Sequence, residues 1–242
     1  MRSVQRQPEY EMPKCEVIFE RVLRLILIAG LILLLSGCAN KIPFKKAVLV
    51  PVEAVDPESV RDSFEASLPQ SFQLISSTVF KYKMHSFAAI GVTGIDTRKK
   101  EFTLACINPM GVKLFELAGD EQGVDCRFAM KEFTQKGDFA KMVANDIRSI
   151  YFDRIPDKNA EVVKKNKKII FFQPVNGGTM EYLFGGTGNL LIEKRFIKKG
   201  RKIWSVFYFE YISKKGKLHP AGIILKNYIY RYKLVIRAKG NQ

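Results

Sequence analysis

Apolar and polar residues alternate along much of the chain after residue 72, and this period of two predicts β-strands. In one early strand, Phe80, Tyr82 and Met84 alternate with Lys81 and Lys83. Further strands, bounded by Gly, Asn, Asp and Lys, are predicted from residue 169 and at residues 101–107, 112–118, 124–130, 190–197, 203–212 and 223–236. Short turns join these strands, so we predict a mainly β (α+β) fold built on a curved, largely antiparallel sheet.

Two other stretches have the spacing of apolar residues that is typical of helices. Residues 57–68 follow Asp56 as a candidate cap and carry Pro57 in the first turn. Residues 138–152 follow the candidate cap Asp138 and place a wide apolar stripe on one face. One apolar face of the sheet has little besides this second helix to cover it. The sequence therefore predicts either an apolar cavity or a filled core beneath the helix.

The N-terminal part of the chain has the three parts of a secretory signal. Arg21 and Arg24 precede an uncharged, apolar run of 13 residues, 25–37, which ends in small residues just before Cys38. A transmembrane helix needs about 20 apolar residues, so the run is short for a membrane span. We predict a signal peptide at residues 1–37, with a retained membrane anchor as the alternative.

The letters LSGC, residues 35–38, resemble the lipobox of bacterial lipoproteins. This resemblance implies that Cys38 is acylated, and several acyl chains hold a protein stably on a membrane. Ala39, in place of an aspartate, favours the outer membrane of a Gram-negative bacterium, with the protein facing the periplasm. We predict a tether at residues 38–55 and a single domain at residues 56–242.

The chain is strongly basic, with a formal net charge of +16. Residues 157–168 are especially rich in lysine and predict a solvated connection or a frayed helix. Behind a lipoprotein signal, the expected anionic partners are lipid head groups or lipopolysaccharide, and no nucleic acid is expected. A generally basic surface that serves solubility is the alternative.

The sequence has few groups that carry catalysis or bind metals. The chain has only two histidines, His85 and His219, and it lacks a Gly-X-Ser-X-Gly elbow and a Cys-X-X-Cys pair. The glycine-rich residues 184–189 are not followed by the Lys-Ser/Thr of a phosphate-binding loop. We predict no enzyme, no metal and no cofactor. Cys106 and Cys126 are predicted to lie two strands apart and to remain buried thiols.

Three stretches carry a resemblance to a known superfamily. They are INPMGVKLFELAGDEQGVD at residues 107–125, the helix end YFDRIP at residues 151–156, and the hairpins of residues 191–225. Their order and spacing resemble the LolA/LolB superfamily of periplasmic lipoprotein carriers, and LolB most. More narrowly, the chain resembles LolB-related lipoproteins that are found near aryl-polyene synthesis genes. The resemblance covers roughly residues 72–242.

This resemblance implies an unclosed antiparallel β-barrel, lidded by helices, with a cavity that holds acyl chains. Met110, preceded by Pro109, occupies the place of the exposed leucine that LolB uses at the membrane. Burial of Met110 against the sheet is the alternative. The residues expected to line the cavity or the lid are Phe80, Tyr82, Phe102, Leu104, Leu114, Phe139, Met142, Val143, Ile147, Trp204, Tyr228 and Tyr230.

We therefore predict a monomeric outer-membrane lipoprotein that binds, transfers or inserts a lipid-like or acylated molecule. Its expected partners are that ligand, the outer-membrane lipids around the Cys38 anchor and a periplasmic LolA-like carrier. The alternative is a lipoprotein that carries nothing and is a structural or interaction subunit of an envelope complex. An envelope enzyme is a third, weaker alternative, because one sequence does not exclude a dispersed site.

Overall fold

The computed structural model describes residues 24, 42–135 and 137–239. The chain divides into two units, Met1–Pro43 and Phe44–Gln242. Every buried residue among those described lies in the second unit, which has a hydrophobic core of its own. The predicted signal peptide, apart from Arg24, and the predicted lipidation site Cys38 lie outside the described residues. No helix in the described ranges is long and apolar enough to cross a membrane.

The second unit is built on one antiparallel sheet. Twelve strands are present in the described chain: β1 (Ser71–Tyr82), β2 (His85–Asp96), β3 (Glu101–Ile107), β4 (Lys113–Gly119), β5 (Val124–Ala129), β6 (Glu161–Lys165), β7 (Lys168–Val175), β8 (Gly178–Gly185), β9 (Leu190–Lys198), β10 (Arg201–Lys214), β11 (Lys217–Asn227) and β12 (Tyr232–Ala238). Their order across the sheet is β5-β4-β3-β2-β1-β12-β11-β10-β9-β8-β7-β6. Since β5 and β6 are the two edges, the sheet is unclosed, as predicted.

Three helices accompany the sheet in the described ranges: α1 (Pro57–Ser67), α2 (Lys131–Thr134) and α3 (Phe139–Tyr151). The two predicted caps are confirmed. The carboxylate of Asp56 accepts a hydrogen bond from the backbone N–H of Ser59 at 2.9 Å, and that of Asp138 accepts one from Lys141 at 3.1 Å. The single turn of α2 was not predicted.

Successive turns of an antiparallel sheet alternate between its two ends. The turns at residues 83–84, 108–112, 199–200 and 228–231 share one end, which we call the methionine end after Met84 and Met110. The turns at residues 97–100, 120–123 and 215–216 lie at the opposite end, which we call the mouth end.

Helix α3 lies along one face of the sheet, the inner face, from the methionine end to the mouth end. Near its start, Phe139 packs on Phe115 of β4, with ring centroids 4.9 Å apart. At its end, Tyr151 packs on Phe72 of β1 at 5.9 Å. The hydrophobic core lies between the sheet and both longer helices, because it includes Val60 and Phe64 of α1 as well as Ile147 and Ile150 of α3.

The final predicted strand, residues 223–236, is wrong because the chain reverses within it. β11 ends at Asn227, and β12 begins at Tyr232. The side chain of Asn227 accepts hydrogen bonds from the backbone N–H groups of Ile229 (3.1 Å) and Tyr230 (3.0 Å), which closes the turn. Tyr228 and Tyr230 therefore lie in a turn rather than on a strand face with Tyr232.

Three further predictions need correction or refinement. Residues 157–168 contain the edge strand β6, whose lysines and full exposure are typical of edges that avoid pairing with other chains. Cys106 and Cys126 are free, as predicted, but Cys126 is exposed because it lies on the edge strand β5. From Phe44, the stretch predicted as a tether packs on the sheet, with Phe44 stacked on Phe209 at 5.3 Å.

Candidate functional site

The turn at residues 108–112 presents Met110 to solvent. The side-chain oxygen of Asn108 accepts hydrogen bonds from the backbone N–H groups of Met110 and Val112, both at 2.9 Å. Gly111 has φ +87°, which glycine adopts without strain. Met110 is 85% exposed, so it does not fold back onto the sheet. Pro109 is exposed beside it.

Two neighbouring turns also carry exposed apolar residues. The hairpins β3–β4, β1–β2 and β11–β12 are consecutive across the sheet, and their tips lie side by side. Met84 at the β1–β2 tip is 97% exposed, and Tyr230 at the β11–β12 tip is 64% exposed, with Ile229 beside it. A row of exposed apolar tips is unusual on a soluble surface and makes this end a candidate interaction site. Sequence reasoning missed Met84, because the Lys83-Met84 turn lacks the usual Gly or Asn signal.

The residues predicted to line a cavity or lid divide into two groups. Three of the twelve, Tyr82, Tyr228 and Tyr230, are exposed at the methionine end. The other nine belong to the core or pack against it. These nine are Phe80, Phe102, Leu104, Leu114, Phe139, Met142, Val143, Ile147 and Trp204.

Hydrogen bonds from the sheet hold α3 in place. The Tyr232 hydroxyl donates to Asp146 Oδ1 at 2.6 Å, and the Tyr208 hydroxyl donates to the carbonyl oxygen of Ile150 at 2.7 Å. The Lys194 ammonium donates to the carbonyl oxygen of Phe152 at 2.6 Å. The last two bonds satisfy carbonyl groups at the C-terminal end of the helix, where cations and donors are favourable.

Two of the residues in these hydrogen bonds, Asp146 and Lys194, have ionisable side chains in apolar surroundings. Burial raises the pKa of Asp146 to about 7, although the hydrogen bond from Tyr232 opposes this rise. Burial lowers the pKa of Lys194 to about 7, against the attraction of Asp153. Since desolvation disfavours the charged form of each group, we expect the attachment of α3 to depend on pH in the neutral range.

A cavity of about 1200 Å³, which we call the mouth cavity, opens at the mouth end. Apolar residues including Leu68, Phe72, Leu74 and Tyr151 form part of its wall, and cationic residues surround them. The cavity lies where α3 ends. A wall that carries both apolar and charged residues matches the two parts of an amphiphilic molecule.

A second cavity of about 750 Å³ adjoins the mouth cavity and shares Ser71, Phe72 and Gln73 with it. No cluster of three or more His, Cys, Asp or Glu in the described ranges is arranged to hold a metal ion.

No model of a known protein family and no curated protein matches the chain. A solved LolA superfamily protein from Nitrosomonas europaea is similar to 77% of this chain over 92% of its own length, with a TM-score of 0.50 and 12% identity. The chain has a LolA-like fold. This finding confirms the fold predicted from the sequence. The narrower resemblance to LolB stays a prediction.

Two other solved structures are more distantly similar to the chain. One is an outer membrane lipoprotein-sorting protein domain from Vibrio parahaemolyticus, with 9% identity, a TM-score of 0.45 and coverage of 75% of this chain and 89% of that one. The other is a DUF1329 family protein from Desulfovibrio piger, with 9% identity, a TM-score of 0.45 and coverage of 78% of this chain and 92% of that one.

Proposed function

We propose that the chain is an outer-membrane lipoprotein, anchored through an acylated Cys38, that binds an acylated or lipid-like ligand and delivers it at the membrane. The observation that carries this proposal is the exposure of Met110 on a hydrogen-bonded turn, beside the bare tips at Met84 and Tyr230. Apolar side chains gain free energy when they leave water for a bilayer. The methionine end is therefore the part of the domain that meets the membrane.

The position of α3 supports a ligand site beneath a movable helix. Its inner side covers the apolar face of a LolA-like sheet, and hydrogen bonds from Tyr208, Tyr232 and Lys194 hold it there. Displacement of the helix would uncover this face for an acyl chain. The mouth cavity, at the end of the helix, is the entrance. In this proposal the arrangement with α3 docked is the closed form.

The expected partners follow from this arrangement. The acyl chains of Cys38 hold the domain beside the outer membrane, and basic residues such as Lys83 and Lys113 lie near the apolar tips to meet anionic head groups. A periplasmic LolA-like carrier is the expected donor of the ligand. The domain is expected to act as a monomer.

Transfer of a fluorescent fatty acid tests the proposal. Residues 44–242 are loaded with a dansyl-labelled fatty acid and mixed with vesicles of phosphatidylethanolamine and phosphatidylglycerol, and the loss of bound fluorescence is followed. We expect one molecule to bind and then to pass to the vesicles. Native mass spectrometry that finds no uptake at any loading concentration would rule out a carrier.

A second candidate is a structural or interaction subunit of an envelope complex that carries nothing. The observation that favours it is the aromatic packing beside α3. The ring centroid of Phe133 lies 5.9 Å from that of Phe87 and 5.4 Å from that of Phe115, so Phe133 fills the methionine end of the inner face. Polar substitutions on the inner face that leave cellular function intact, with one envelope protein co-purifying at fixed stoichiometry, would favour this candidate.

A further inference from the structure

A buried arginine without a counter-charge lies in the wall of the mouth cavity. Arg154 follows α3 by three residues, lines the cavity and is only 3% exposed. Its Nη2 atom is buried and has no hydrogen-bond partner among the described residues. No carboxylate of the described chain forms an ion pair with it.

In the absence of a ligand, the burial of this unpaired guanidinium lowers the stability of the fold. Guanidinium groups stay charged in proteins, and each unpaired donor that is withdrawn from water loses its hydration without compensation. A buried charge is normally paired or hydrogen-bonded. Arg154 therefore lacks the acceptor that would offset its burial, and the cavity beside it has room for one.

Other cations line the same cavity. Arg98, Lys214, Lys215 and Lys217 come from the β2–β3 and β10–β11 hairpins, which lie at the mouth end. The carboxylates in the wall are fewer. Asp153 pairs with Lys100 at 3.3 Å, and Glu65 lies on the exposed side of α1. The wall thus carries a surplus of positive charge that a multiply charged anion would neutralise.

The position of Arg154 is held by the end of α3. Lys194 donates hydrogen bonds to the carbonyl oxygens of Phe152 and, at 3.4 Å, Asp153. The positive charge around Arg154 also affects the pKa of the nearby His219. Burial lowers the pKa of His219, and the charges of Arg154 and Lys214 lower it further.

We propose that the mouth cavity binds a phosphate group between Arg154 and the cations of the rim, as the polar head of the ligand. Binding requires the Arg154 side chain to turn its covered Nη2 atom towards the cavity, where the planar guanidinium then offers two parallel N–H donors that match phosphate oxygens. The surplus of cations favours a phosphate over a singly charged carboxylate. As a head-group site, this assignment rests on the proposed function, whereas the phosphate site itself does not.

Thermal unfolding of residues 44–242 tests the site with three probes at constant ionic strength, with chloride as the reference anion. Inorganic phosphate presents the anion alone, and dihexanoyl phosphatidic acid joins it to short acyl chains. Dihexanoylglycerol has the acyl chains without the phosphate. At a ligand concentration 100-fold above Kd, binding should raise Tm by about 5 to 10 °C.

Substitution Arg154→Met separates a binding role from a structural one. It should abolish the rise in Tm with phosphate and with phosphatidic acid. Without ligand, the variant should be as stable as the unchanged domain or more so, because the substitution removes a buried, unpaired charge. A purely structural arginine would instead show a lower Tm and an unchanged response to phosphate.

A double substitution on the rim covers the case in which Arg154→Met fails to fold. Lys214→Gln with Lys215→Gln should weaken phosphate binding at least tenfold. Lys198→Gln with Lys199→Gln is the matched control, because Lys199-Gly200 and Lys215-Gly216 form turns of the same positive-φ geometry at opposite ends of the sheet. The control should leave binding unchanged.

Nuclear magnetic resonance gives an independent reading. Phosphate bound in the cavity should raise the pKa of His219, because a neighbouring anion stabilises the imidazolium. The resonances of His85, at the methionine end, should not respond to phosphate and provide an internal reference.

The outcomes separate this inference from the proposed function. A response to both phosphate probes, lost in Arg154→Met, supports the site, and a response to phosphatidic acid alone identifies a lipid head group as the source. A response to inorganic phosphate alone supports a site for free phosphate. No response, or one that survives Arg154→Met and the rim substitutions, overturns the inference. Binding of dihexanoylglycerol with no phosphate effect would overturn the site while leaving acyl binding intact.

Discussion

Tyr232 of β12 donates a hydrogen bond to Oδ1 of Asp146 in α3, over 2.6 Å, and both side chains are buried. This bond joins α3 to a central strand of the sheet. It also keeps a carboxylate in apolar surroundings, where burial raises the pKa of Asp146 to about 7. The contact is therefore both a structural attachment and a source of pH dependence.

Substitution Asp146→Asn should remove one part of the pH dependence of stability. Between pH 4 and pH 7, folded Asp146 holds a proton that the unfolded chain has lost, so stability falls by about 1.4 kcal/mol per pH unit as pH rises. Asn keeps an acceptor for Tyr232 and does not titrate. In urea unfolding, the variant should match the unchanged domain near pH 4 and exceed it at pH 7. A constant difference across this range would contradict the prediction.

Lys194 should produce the opposite slope at higher pH. Burial lowers its pKa from 10.5 to about 7, so above pH 7 the unfolded chain binds a proton that folded Lys194 lacks. Stability then rises with pH, by about 1.4 kcal/mol per unit up to pH 10. Lys194→Met should lose this rise, as measured by urea unfolding at pH 7, 8 and 9. Parallel curves for the two proteins would show that Lys194 stays charged in the fold.

Loosening α3 should speed ligand entry if the helix is a lid. Tyr232→Phe removes the donor and leaves the Asp146 carboxylate buried without it, which should cost about 1 to 3 kcal/mol. Stopped-flow binding of a dansyl-labelled fatty acid should be faster in this variant. Asp146→Asn keeps the hydrogen bond and should be at least as stable as the unchanged domain, so it is the matched control, with a rate no faster than that of the unchanged domain. Equal rates in all three proteins would mean that α3 does not limit entry.

The order of the strands follows from local signals in the sequence. Hairpins with short turns pair neighbouring strands, and the caps at Asp56 and Asp138 mark helices through side-chain oxygens that can be recognised from residue type. The reversal after Asn227 was missed. Tyr228 and Tyr230 have strand propensity, and one side-chain amide that bonds two backbone N–H groups overrides it.

Only part of the candidate site could be predicted from the sequence. Asn-Pro-Met-Gly predicts a turn and so identifies Met110, whereas the alternation of Phe80, Tyr82 and Met84 predicts that Met84 lies on a strand. Arg154 lay within the stretch used for the resemblance, but its role depends on which carboxylates fail to reach it. That information is three-dimensional, because Arg61 and Lys194 are buried as well, and only the lack of a partner in the described chain distinguishes Arg154 from them.

Glycine at position 222 allows Phe44 to lie against β11. A Cβ atom there would approach the Phe44 ring to 2.4 Å. Gly222→Ala should therefore displace Phe44 from the sheet, at a cost of about 1 to 3 kcal/mol, and open residues 44–50 to limited proteolysis. Gly123→Ala is the control, because a Cβ atom at Gly123 would meet nothing within 4 Å. Equal protease resistance in the two variants would show that Phe44 does not fasten this segment.

Met110→Glu tests the membrane role of the methionine end. The side chain is 85% exposed and packs against nothing that the fold needs, so the variant should unfold within about 0.5 kcal/mol of the unchanged domain. Its flotation with vesicles of phosphatidylethanolamine and phosphatidylglycerol should fall, and transfer of a dansyl-labelled fatty acid to them should slow at least tenfold, because a charged group opposes entry into the bilayer.

Val48→Glu is the matched control for this substitution. Val48 is also a highly exposed apolar residue, but it lies beside the β8–β9 turn near the mouth end, where its neighbour Ala47 approaches Gly186. The added charge is the same, so a general effect of net charge would slow both variants equally. A selective loss in Met110→Glu would place the contact at the methionine end. A large fall in its Tm would show instead that Met110 supports the fold.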